Sequence, residues 1–118
     1  MKSVQKMTLD EIWDECDRMW QDMKRLFQKH PVGPECLASV LTKTKELWLI
    51  ENGYCIADFW AGCFFCSVTN VCDQCPGRQV DPAFDCADFK GHKAFDQYPI
   101  EFADYIHELN LERKGGTS

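Results

Sequence analysis

Lysine and arginine are scarce in this chain, and nowhere do they gather. Thirteen bases stand against 19 acids, a formal charge of −6. The first 30 residues hold six of each sign, and the deficit is spread evenly over the rest. Affinity for DNA or RNA draws heavily on bases that release counterions from phosphates, so an acidic chain without a basic stripe is a poor nucleic-acid binder. The same balance argues against anionic membranes. Also missing is any apolar run of the roughly 18 to 20 residues that a membrane span requires. The opening MKSVQKMTLDEIWDEC has no apolar segment of the kind that directs export. The expectation is a cytoplasmic protein.

Catalytic signatures are absent as well. There is no G-x-S-x-G, no phosphate-binding loop and no H-E-x-x-H. None of His30, His92 and His107 begins the H-x-E of a zinc deaminase. A Cys/His pair using His107 would need a geometry that nothing in the sequence supplies. The chain is therefore read as non-enzymatic.

What remains is globular. Hydrophobic residues make up 45% and charged residues 27% of 118, which suits one folded domain over residues 1–118 that buries about two thirds of its unfolded surface. The pattern predicts a mainly α fold, a helical hairpin plus a C-terminal helix around a small zinc-binding loop. Residues 8–29 form the first helix. Thr8 and Glu11 make a capping box, and Leu9, Ile12, Trp13, Cys16, Met19, Trp20, Met23, Leu26 and Phe27 recur on one face. Pro34 suits the first turn of a second helix over 34–50, with Leu37, Val40, Leu41, Thr44, Leu47 and Trp48 inward. A short loop between two helices predicts that they pack antiparallel. Residues 54–65 read as a short strand or an apolar loop, and 76–82 as a turn. A closing helix over 99–113 turns Phe102, Ile106 and Leu109 inward.

Six of the eight cysteines lie between residues 55 and 86, where CFFCSVTNVCDQCPG carries two C-x2-C pairs five residues apart. Each such turn sets two sulfurs on one side of an ion, and two turns complete the tetrahedron that structural zinc prefers. Cys63, Cys66, Cys72 and Cys75 are the expected ligands, Cys86 the alternative fourth, within a cysteine-rich module over 63–86. His92 is a weaker donor candidate. Gly77 is expected to allow a tight backbone that turns N–H groups toward thiolate sulfur. Competing readings are a redox pair, which usually sits beside a βαβ unit that is missing here, buried thiols and an iron–sulfur cluster. Cys16 falls on the apolar face of the first helix, while Cys36 and Cys55 are expected to be unliganded thiols. A closed site of four thiolates leaves no position for water, which fits a structural role.

The order ELWLIENG, CFFC, CDQCPG, Cys86 and PIEFADYIHEL over residues 46–109 resembles small zinc-binding proteins of tailed bacteriophages. The N-terminal helix has no counterpart in that pattern. The resemblance implies viral origin and work in the cytoplasm of an infected bacterium, and it brings no molecular activity with it. Three functions follow for comparison. The first is a zinc-stabilised module that binds a host or viral protein, acting as an inhibitor or modulator through aromatic residues Trp60, Phe64 and Phe65, with Trp48 and Phe59 as further candidates. The second is a nucleic-acid-associated zinc protein, disfavoured because CFFCSVTNVCDQC contains no Lys or Arg. The third is a thiol-based redox protein.

Overall fold

A computed structural model describes residues 4–59, 64–65, 75–81 and 98–115 of the chain. These residues are mainly helical. A 3-10 turn at Val4–Lys6 leads into α1 (Leu9–Lys29), followed by α2 (Pro34–Glu51), a 3-10 turn at Ile56–Asp58, the short α3 (Pro76–Val80) and α4 (Pro99–Arg113).

Helix α1 starts where its chemistry says it should. The Thr8 hydroxyl accepts from the Glu11 backbone N–H at 3.2 Å, and the Glu11 carboxylate accepts from the Thr8 N–H at 2.9 Å. Two N–H groups that the helix itself cannot serve are thereby satisfied. Ile12, Trp13, Cys16, Met19, Trp20, Met23 and Phe27 are buried along one face, each large apolar side chain contributing about 1.5–3 kcal/mol. Leu9 and Leu26, which share the period, lie at the margins of that face and are exposed.

Helix α2 begins with Pro34 in its first turn, where a missing N–H costs nothing. It stops after Glu51. The Asn52 N–H returns to the Trp48 carbonyl at 3.0 Å, and Gly53 takes a φ of +86° that a side chain would strain. Its buried positions are Leu41, Lys45, Trp48 and Leu49. Leu47, expected inside, is exposed and Leu49 takes the inward place. Apolar residues occur on more than one side of this helix, so period alone does not select the buried face.

The main partner of α1 is not its neighbour in sequence but α4. The two run antiparallel, as their contacts show: Lys24 with Asp104, Gln21 Nε2 with the Ala103 carbonyl, Trp20 edge-on to Phe102, Asp17 with His107, Asp14 with Asn110, and Asp10 with Arg113. Helix α2 meets α1 through long side chains. Trp48 Nε1 donates to Asp22 at 2.8 Å, Arg18 lies over the Trp48 ring, Lys45 lies over the Trp20 ring, and beyond the helix Tyr54 donates to Glu15 at 2.6 Å.

The stretch that could have been a strand is described at 54–59 and 64–65. Tyr54 makes a single bridge, Ile56–Asp58 a 3-10 turn, and Phe64 and Phe65 are helical. No strand occurs among the described residues. Residues 76–80, expected as a turn, form one short helix, because Pro76 takes the first helical position and fixes its φ there.

Candidate functional site

Of the expected zinc ligands, Cys75 is described. Cys63, Cys66, Cys72 and the alternative Cys86 lie outside the described residues, as do Trp60 and His92. Among the described residues no group of three or more His, Cys, Asp or Glu side chains is placed to hold a metal. What the structure describes is how Phe64, Phe65, Cys75 and the residues after Cys75 pack on the helices.

The first turn is held by its middle. Phe64 and Phe65, the two residues between Cys63 and Cys66, are 0% and 2% exposed. The Phe64 ring meets Tyr54, Phe59 and Trp48 edge-on, with centroids 5.4, 5.0 and 6.2 Å away. Phe65 packs on Trp13 at 4.7 Å. Edge-to-face packing of this kind adds to simple burial.

This placement corrects the expectation that Phe64 and Phe65 form a partner-binding surface. Both rings are consumed by the interior, and Trp48 is buried with them. An adjacent aromatic pair has no periodicity from which its direction could be read.

The second turn is held at its end. Cys75 caps the start of α3 and is half-buried against the core, and Pro76 and Gly77 behind it are buried. Gly77 is helical and does not use a positive φ. Asp81, just past α3, accepts the hydroxyl proton of Tyr105 at 2.6 Å, fixing the exit of the module to the buried side of α4. Cys16 is in the core, while Cys36 on α2 and Cys55 beyond it carry free thiols.

Three buried polar residues were not anticipated from the sequence: Asp17, Lys45 and Asn110. Asp17 accepts from Asn110 Nδ2 at 3.0 Å and faces His107 Nδ1 at 2.9 Å. His107 thus uses one ring nitrogen as a strut between α1 and α4. Asp14 is held below its ordinary pKa of 3.8, chiefly by the hydrogen bond from Lys114 at 2.6 Å. The signal for this seam was present. Asp10, Asp14, Asp17 and Lys24 on the first helix are matched by Arg113, Lys114, His107 and Asp104 on the last helix and its C-cap.

No known protein family, curated protein or solved structure matches the chain. No helix among the described residues is long and apolar enough to cross a membrane.

Proposed function

We propose that the chain is a zinc-stabilised module that binds another protein, with one zinc held by Cys63, Cys66, Cys72 and Cys75, and Cys86 as the alternative fourth ligand. The donor chemistry and the anchoring fit this reading. Thiolates in two C-x2-C turns suit tetrahedral zinc, and each turn has part of its length packed into the helical core. The metal would supply cross-linking free energy to a segment with little core of its own. The setting implied by the resemblance is an infected bacterium, with a host or viral protein as the partner and the chain as a non-catalytic modulator.

The observation that carries the protein-binding reading is the outer face of α2. Leu47 and Ile50 are 58% and 55% exposed and lie three residues apart, hence on one side of the helix. With Phe64 and Phe65 buried, these two are the exposed apolar residues best placed to anchor a partner. Four thiolates and one zinc ion would take the formal −6 to about −8, which favours a partner with a basic surface. Replacing both Leu47 and Ile50 by Glu is expected to abolish capture of a partner from a nuclease-treated bacterial lysate. Helicity and stability should stay within about 0.5 kcal/mol of the parent, as for surface substitutions elsewhere. Undiminished capture by the double variant, or tight salt-sensitive binding of the isolated protein to DNA or RNA, would count against the proposal.

A further inference from the structure

The outer side of α2 carries more than Leu47 and Ile50. Ser39, Lys43, Glu46, Leu47 and Ile50 recur every three or four residues and all are exposed, so they form one stripe along the helix. Its contents are unevenly distributed. The two large apolar side chains stand toward the C-terminal end, small Ser39 and Thr42 toward the N-terminal end, and one charge of each sign lies between them. On α1 the neighbouring charges are matched, Glu15 by Arg18, Asp22 by Arg25 and Lys24 by Asp104. Lys43 and Glu46 differ. They lie three residues apart on one helix, yet among the described residues neither makes an ion pair.

A stripe in this order is complementary to an antiparallel copy of itself. Setting Lys43 opposite the partner's Glu46 also sets Glu46 opposite the partner's Lys43, because a two-fold axis makes every contact twice. In the same register Leu47 meets the partner's Thr42 and Ile50 meets the partner's Ser39, so large side chains fall on small ones. The Thr42 hydroxyl already donates to the Ala38 carbonyl at 3.1 Å, and covering it strands no donor. Charge disfavours the alternatives. Meeting Leu47 with the partner's Ile50 would bring Glu46 against the partner's Glu51, and a parallel pair would bring Lys43 against the partner's Lys43. Net repulsion between two acidic copies is screened beyond about 8 Å at physiological salt, and the crossing pairs are closer than that. We infer that the outer face of α2 pairs antiparallel with the same face of a second copy of this chain, with Lys43 and Glu46 crossing the interface. This inference rests on the protein-binding reading of that face and names its occupant. One helix pair buries less than the roughly 1,200 Å² of a standard interface, so the dimer is weak and reversible.

Sedimentation velocity of the purified full chain at rising concentration and physiological salt reads the association. The parent is expected to dimerise with a Kd on the order of 10–100 μM. Lys43→Glu and Glu46→Lys, each alone, set like charges together at both crossing points and should weaken the dimer about tenfold or more. Mixed in equal amounts, the two variants should pair with each other, since both crossing contacts are then of opposite sign. A chain carrying both substitutions should pair with itself as the parent does. Recovery on mixing cannot come from a chain that fails to fold, and circular dichroism checks the helicity of each variant. A parent that stays monomeric up to about 1 mM overturns the inference. So do single variants that dimerise like the parent, or that do not recover when mixed. Capture of a bacterial protein by a monomeric parent, lost on replacing Leu47 and Ile50 by Glu, would also overturn self-pairing while leaving the face a contact surface for a different occupant.

Discussion

Burial, reinforced by a hydrogen bond to Glu15, favours the neutral phenol of Tyr54 and holds its pKa above the ordinary 10.0. The folded protein therefore keeps this proton at a pH where the unfolded chain has released it. Its contribution to stability is complete below pH 10.0 and is lost as pH rises through the folded value. Tyr54→Phe keeps the ring against Phe59 and Phe64 but removes the titrating group. Urea midpoints measured from about pH 9 to 11 should fall more steeply for the parent than for this variant. Parallel curves would mean that the phenol contributes nothing. Arg18 belongs to the same cluster. It holds Glu15 through two nitrogens at 2.7 and 2.9 Å, and this bond raises its own pKa. Few of these links are legible from residue order, because Tyr54 and Glu15 are 39 positions apart.

The helices themselves were largely legible. A capping box, a nine-residue apolar stripe and a proline at each later helix start are local signals, and local physics answers them. Partner choice among helices was not. Short loops predict that sequence neighbours pair, yet α1 lies most closely along α4, where small Ala103 and the reversed charge pairs allow close approach. Side-chain direction on a helix with apolar residues on more than one side was equally hidden, which is why Leu47 and Leu49 exchanged roles. The expected metal ligands rest on spacing alone, and the burial of Phe64, Phe65 and Pro76 beside them depends on tertiary contacts that spacing does not encode. One consequence is specific to the first cysteine turn. Phe64→Ala would leave a cavity among Tyr54, Phe59 and Trp48, at a cost of about 3–5 kcal/mol. The expected outcome is a large drop in the denaturant midpoint together with weaker metal retention. A partner-binding role would instead leave stability untouched.

At the scale of the whole molecule, Phe64, Phe65, Cys75 and the Tyr105–Asp81 bond tie residues beside the cysteines to the helical core, and under the proposed metal reading a bound ion would add a further cross-link. The proposed function rests on the ion. The most direct measurement is the metal content per chain of protein purified without added metal, determined by elemental analysis. One zinc per chain, lost when Cys63, Cys66, Cys72 or Cys75 is changed to Ser, is the predicted result. Protein with no stoichiometric metal, or with iron in place of zinc, would contradict the account.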